Sequence, residues 1–326
     1  MARNFSGGPN LSFRQPHDME LIIVHYVLYS LFTQCSIGAD DETLRQDYDM
    51  QAATCKESLE TILSNLSFHI DTNIDSICAL YMAGKVSTTW TFISRTSFMC
   101  LTLGLHSSQA VITEQENAVQ RKMCLFWAVY ALEKAVALRL GRPSTIRDQG
   151  ITIPRLTLGR EMTSLAFNRL PDWIDVASLY GCLYDSLYSL TALIQPGSAH
   201  LSRTSALAPE LERMIAARTE YYNRPDLWSS HMLDPNLSRF ITHTNRAIEY
   251  SILASIYRGV PTESASDIVP YTKCIAAARI ALEESKASIA ILSDAAKWPT
   301  GLYEWVNEIL FLAPFIPFTI LVCNNC

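Results

Sequence analysis

Apolar residues recur three and four positions apart along most of this chain, the spacing that gathers them on one face of an α-helix. The clearest stripe is Leu44, Tyr48, Ala52, Cys55, Leu59, Ile62, Leu63 and Leu66, and Asp40 or Asp41 ahead of it can cap the first turn. The run LIIVHYVLYSLF, Leu21 to Phe32, is apolar on every side, which predicts a buried helix; it is too short to span a bilayer and is interrupted by His25. A long helix is predicted from the capping box Thr113 to Glu116, with Met123, Phe126, Trp127, Tyr130 and Ala131 along one side and Gly141 as its stop. Further helices are predicted over Asp172 to Ile194 (stopped by Pro196 and Gly197), Pro209 to Tyr222, Leu237 to Tyr257 (stopped by Gly259), Tyr271 to Ala295 and Tyr303 to Leu312. The polar joints Gln195 to Ser205 and Gly259 to Asp267 read as loops, too short to link independent domains. Convincing strands are absent, although the alternation in Ile151-Thr-Ile-Pro154 predicts an extended segment anchored by Ile151 and Ile153. The fold class is therefore all-α: an irregular segment over residues 1–17 and one multi-helical domain over 18–326.

Composition supports a large core, since 49% of the 326 residues are hydrophobic. With 18% charged residues and a formal net charge of −6, no global basic field exists to gather phosphates, so direct DNA contact by this chain is not expected. The nine cysteines, Cys35, Cys55, Cys78, Cys100, Cys124, Cys182, Cys274, Cys323 and Cys326, lie mostly inside apolar helical patterns and read as buried thiols of a reducing compartment. The N-terminus lacks the layout of a secretion signal. The apolar run Ile309 to Cys323 is broken by Pro314 and Pro317 and has no basic flank, so no membrane anchor is expected.

No glycine-rich phosphate loop, Gly-x-Ser-x-Gly elbow or His-Glu-x-x-His pair occurs. None of the seven histidines stands at helical ligand spacing from another, and His25 and His106 read as satisfied core histidines. The Cys-Asn-Asn-Cys at Cys323 to Cys326 lacks the second ligand pair that zinc needs, and the adjacent acids Asp40 with Asp41 and Glu283 with Glu284 do not face each other. Catalytic, metal-binding, cofactor-binding and DNA-binding residues are accordingly not assigned. Arg139, Arg142 and Arg147 surround the Gly141 helix end. They can grip a carboxylate or phosphate, or simply neutralise the helix C-terminus. Trp127 and Tyr130 can line a ligand pocket or belong to the core. Trp127, Tyr130 and Arg142 are the candidate effector or structural motif.

Leu-Gly-Leu-His at Leu103 to His106, Phe126 and Trp127, Glu133 and Lys134, Leu140-Gly-Arg-Pro143, Asp148 and Ile151-Thr-Ile-Pro154 follow one another in order and spacing. This block, residues 74–154, resembles the middle homology region of fungus-specific transcription factors, a regulatory domain usually found downstream of a binuclear zinc cluster. Trp90 on the preceding helix and the apolar segment Pro314 to Cys323 extend the likeness loosely along the chain. Thr152 stands where the family commonly has aspartate. The family's six-cysteine DNA-binding element is absent, so the sequence reads as beginning inside the regulatory domain and stopping before its end, as in a truncated or divergent member.

The resemblance implies a nuclear transcription regulator working through protein partners, such as other regulators or a full-length relative, or through a small-molecule effector, with secondary-metabolite genes as a target class. The alternative is a small-molecule-binding protein or enzyme recruited from the same scaffold, which a deep pocket lined by Trp127, Tyr130 and Arg142 would favour. A third reading is an inert remnant with apolar surface left uncovered.

Overall fold

The short link Ala39 to Asp41 decides how the first two helices meet. Asp41 adopts extended angles (φ −87°, ψ 127°) and its Oδ1 accepts from the Leu44 amide at 2.9 Å, so α2 (Glu42–Ser64) starts directly after α1 (Asp18–Gly38) has stopped. Arg45 turns back to give hydrogen bonds to Glu42 Oε2 (2.8 Å) and to the Ala39 carbonyl (3.1 Å). Phe32 and Tyr48 stack with centroids 6.3 Å apart, which sets the two helices antiparallel. Of the α2 stripe, Ala52 and Leu59 are buried while Leu44 is exposed. The all-round apolar α1 is buried on one face only: Met19 and Ile22 are inside, but Val24, Val27 and Leu31 face out. This differs from the expected buried helix because only α2 and α3 pack extensively against it.

The computed structural model describes residues 18–86, 89–111, 116–156, 165–222, 235–260, 268–294 and 315–324. Beyond the hairpin, α3 (Ile74–Val86), α4 (Thr89–Thr102), α5 (Glu116–Arg139) and α6 (Leu165–Leu183) follow. A one-turn π-helix (Tyr184–Tyr188) leads to α7 (Leu190–Leu193), then α8 (Gly197–Tyr222), α9 (Pro235–Arg258), α10 (Ile268–Asp294) and α11 (Phe315–Asn324). No strand occurs among the described residues, so the architecture is all-α and multi-helical. At 24 residues, α5 is about 36 Å long.

Two principal hydrophobic clusters form. The first is built from α3, α4, α5 and the start of α6 around Leu80, Ile93, Phe126, Tyr130 and Ile174. The second is built from the end of α6 with α8, α9, α10 and α11 around Leu183, Leu187, Leu211 and Ala278. Helix α6 serves both, with Ile174 and Ala177 turned to the first, Val176, Leu179 and Leu183 to the second, and Tyr180 touching each. A helix apolar on two faces is the shared wall of one packed body.

Several boundaries differ from the sequence expectation. Helix α6 starts before Asp172 and carries Pro171 inside it. The stretch expected as a loop, Gln195 to Ser205, is helical from Gly197, and Pro209 lies within α8 rather than at its start. The reason is tertiary: the polar side chains of this stretch are consumed by neighbours. Thr204 Oγ1 donates to the Ile256 carbonyl at 3.2 Å, and Arg203 donates to the Ser186 carbonyl at 2.8 Å. Tyr188 donates to the Ser255 carbonyl (2.5 Å) and Cys274 Sγ to that of Ala254 (3.3 Å), so the end of α9 has its carbonyls met from three separate elements. Across α8 and α9, Arg218 and Glu249 form a buried ion pair. The capping residue Thr113, the helix expected over Tyr303 to Leu312, and most of the Gly259 to Asp267 joint lie outside the described residues. Among the described residues no helix is long and apolar enough to cross a membrane. Cys100, Cys124 and Cys274 are buried as expected; Cys182 and Cys323 are exposed.

Burial raises the Cys100 thiol to about 12, with the nearby Cys78 adding to it, and raises the Tyr188 phenol to about 12. Both groups are neutral in either state below their ordinary values of 9.0 and 10.0. Above those values the unfolded chain releases protons that the folded chain retains, so stability falls as pH rises through this range toward 12. Urea midpoints should therefore drop steeply from mildly alkaline pH upward, and Cys100→Ala should flatten the first part of that fall.

Candidate functional site

Two helix ends fold the same way. At α4, Gly104 takes φ +71°, the Leu105 amide donates to the Cys100 carbonyl (3.0 Å) and the Gly104 amide to that of Leu101 (3.1 Å). At α5, Gly141 takes φ +61°, with Arg142 donating to Ala137 (2.9 Å) and Gly141 to Leu138 (3.0 Å). Paired bonds of this kind close a helix through a left-handed residue, which is why glycine stands at both places. Pro143 then prevents the helix from resuming, and residues 143–154 cross the inner face of α5.

Four polar side chains on α5, Trp127, Tyr130, Glu133 and Lys134, hold that crossing segment, and Ser97 on α4 adds a fifth. The Glu133 carboxylate, wholly buried, accepts from Ser144 Oγ (2.7 Å) on one oxygen and from the amide (2.7 Å) and Oγ1 (3.0 Å) of Thr145 on the other. Ser97 Oγ on α4 shares a hydrogen bond with Thr145 Oγ1 at 2.7 Å. Lys134 Nζ, also buried, pairs with Asp148 Oδ1 at 2.9 Å and lies 5.2 Å from the Tyr130 ring centroid. Tyr130 donates its hydroxyl to the same carboxylate oxygen at 3.0 Å. Burial, with the Asp148 charge beside it, holds that phenol far above its ordinary range, so it stays a donor. Trp127 Nε1 donates to the Pro154 carbonyl at 3.0 Å. In the turn after α4, the His106 carbonyl accepts from the amides of Thr152 (2.9 Å) and Ile153 (3.3 Å).

Residues 127, 130 and 134 follow the three-and-four spacing of one helix face, and the segment they grip runs alongside it. Between the polar ties Ile146 and Ile153 are buried, so the extended segment anticipated at Ile151 to Pro154 does lie on the core. Gly181 on α6 makes room for the ammonium: a Cβ there would sit 2.8 Å from Lys134 Nζ.

The candidate residues divide. Trp127 and Tyr130 come together, edge to face at 5.2 Å, with Phe126 edge to face at 5.3 Å from Trp127, inside solid core. Arg142 is on the outside, its guanidinium 5.2 Å from the Trp90 ring centroid. The three do not surround a cavity. The residues that do most of the holding, Glu133, Lys134, Ser144 and Thr145, were not among the candidates; the legible trace was an adjacent Glu-Lys pair inside an otherwise apolar helix. His25 is half-buried and bonds the Leu21 carbonyl through Nδ1 (2.8 Å). The reading of His106 as satisfied needs correction: its Nδ1 is buried with no hydrogen-bond partner among the described residues, while its backbone carbonyl carries the contact. Cys323 is exposed on α11, and Cys326 lies outside the described residues. No cluster of three or more metal-ligating side chains occurs among the described residues.

The arrangement fixes backbone rather than performing chemistry, and its cost of failure is calculable. Asp148→Ala strands the Lys134 ammonium in the core and should cost about 3 kcal/mol of stability, somewhat discounted because the carboxylate is partly exposed. Glu133→Ala, which strands the Thr145 amide and removes an acceptor from the Ser144 and Thr145 hydroxyls, should cost about 2 to 4 kcal/mol. Urea denaturation followed by circular dichroism checks both; a loss under about 0.5 kcal/mol for either would mean that the segment is held by its isoleucines alone.

Residues 33–193 match the family model of the fungal specific transcription factor domain. The matched span takes in the whole crossing segment and every side chain that grips it. Neither a curated protein nor a solved structure gives a match to this chain. The family is one of regulatory domains rather than enzymes, and no described helix is built to cross a membrane. Residues 33–193 are thus similar to the fungal specific transcription factor domain, and that similarity supports the role of a transcription regulator.

Proposed function

We propose that this chain regulates transcription in the nucleus by contacts with other regulators or a full-length relative, and that a small-molecule effector biases those contacts. The observation that supports a regulatory body over an enzyme is the use made of the motif. Trp127, which falls on the family motif, and Tyr130 direct their polar atoms to Pro154 and Asp148, so they brace a helical scaffold instead of lining a reaction site. A recruited enzyme built on the same residues would need them, with Arg142, around one cavity. The formal charge of −6 supports protein contacts over DNA contacts as the mode of action. A secondary-metabolite gene cluster as target rests on the domain family alone.

A fusion of the chain to an unrelated DNA-binding module, placed upstream of a reporter gene, should change reporter output several-fold, whereas the purified chain should show no sequence-selective DNA binding at low or moderate salt. Tight, selective binding by the chain alone would overturn the reading. Arg142→Ala should leave stability within about 0.5 kcal/mol yet weaken the reporter response, because Arg142, exposed beside the half-buried Trp90, belongs to the surface that partners meet.

A further inference from the structure

The hydrophobic interior of the first half is two clusters joined through a few side chains. Leu66, Ile70 and Phe92 are only partly buried and touch both the α3–α6 cluster and the smaller cluster made by α1, α2 and α3. Between them lies an open pocket of about 170 Å³, with the fully buried Leu80 as its floor. Protein interiors rarely leave a void larger than a water molecule, and about 150 Å³ of apolar space is enough to hold benzene. This pocket is therefore of a size for one six-membered ring or one branched alkyl group.

Its rim carries a charge. Arg95 gives one hydrogen bond, from Nη2 to the Phe68 carbonyl at 2.8 Å, and its guanidinium lies 5.7 Å from the Phe68 ring centroid. Among the described residues no carboxylate stands within ion-pair distance of it. An arginine carries five N–H donors in a planar fork suited to two carboxylate oxygens, and here most of them are unspent. Phe68 beside it is 94% exposed, an aromatic ring at the mouth of the pocket. A hollow with an apolar floor, a mouth made partly polar by Ser67 and Thr91, and an unpaired cation at its rim is the complement of a small anion with an apolar body.

We propose that this pocket binds a small aryl or branched-alkyl carboxylate, its apolar body against Leu66, Ile70, Leu80 and Phe92 and its carboxylate on Arg95. Such a ligand adds to the joint that Leu66, Ile70 and Phe92 make between the two clusters, and so stiffens the α1–α2 hairpin against the α3–α6 bundle. The inference deepens the effector part of the proposed function and rests on that reading for its biological use, but not for its measurement. Binding is read on the purified chain, so failure to bind leaves partner-mediated regulation standing, and failure of the reporter leaves binding standing.

The experiment titrates the full chain with phenylacetate and with isovalerate, using phenylacetamide as the neutral control, by calorimetry and by thermal unfolding. Saturable binding of the acids with a rise in Tm is expected, with the amide at least about tenfold weaker. Arg95→Met should bring phenylacetate down to the level of the amide. Thr91→Trp, a change at an exposed position on the rim, should block all three ligands while the circular dichroism spectrum stays unchanged. The proposal is overturned if the folded chain shows no saturable binding of either acid, if acid and amide bind alike, or if both variants bind as the parent does.

Discussion

A wholly buried carboxylate, Glu133, sits in the middle of α5, and the course of the chain after that helix depends on it. An ionised group taken out of water is costly unless its lone pairs are met. Here they are met by Ser144 and Thr145, residues that have left the helix and come back. The next residue, Lys134, imposes the same demand with opposite sign and is answered by Asp148 and the Tyr130 ring. Two adjacent charges on a helix point in different directions, so each captures a different part of the crossing segment. The segment is thereby fixed in register as well as in place. A one-residue slip would leave both ions unpaired.

The second half of the molecule is held on another basis. Its core is mostly alanine, leucine and isoleucine from α8, α9 and α10, and small residues such as Ala254, Ala277 and Ala278 let α9 and α10 approach closely along their length. Direction is imposed at one end, where Tyr188, Thr204 and Cys274 meet successive carbonyls of α9. The one-turn π-helix before α7 brings Tyr188 to that position. Helix α6 connects the two regimes, facing the charged clasp through Gly181 and the alanine-rich packing through Val176 and Leu183. A disturbance at the clasp can reach the second cluster through α6 and nothing longer, which gives a regulatory domain a short physical route between its halves.

Much of the architecture was legible because helical periodicity is local. The α2 stripe, the Asp41 cap and the stop at Gly141 depend on residues within one or two turns of each other, and all three are present. The errors share a cause. Gln195 to Ser205 reads as a loop from its serines, threonine, histidine and proline, yet His200 and Thr204 are buried and Thr204 bonds a carbonyl far along the chain. Helix α1 reads as buried all round because its sequence is apolar all round, yet a surface helix needs burial on only one face, and Val24, Val27 and Leu31 remain outside. Candidate-site residues divided for the same reason: aromatic side chains at helical spacing announce a packed face, but not whether a cavity or a neighbouring segment lies opposite.

The sequence by itself determined the all-α class, the main helices and the order of the motif from Leu103 to Pro154, since each rests on spacing, capping and left-handed glycines. Only the tertiary structure decided what the motif is for. Whether Trp127 and Tyr130 face a ligand or a carbonyl, whether Glu133 and Lys134 are solvated or buried, and whether Arg142 or Arg95 is the cation beside an apolar hollow are matters of what lies across space from them. Those partners are 11 to 27 residues away for the α5 clasp and for Arg95. No local pattern encodes them, because the free energy of a buried charge or an open pocket is set by the neighbours that folding brings, not by the neighbours in the chain.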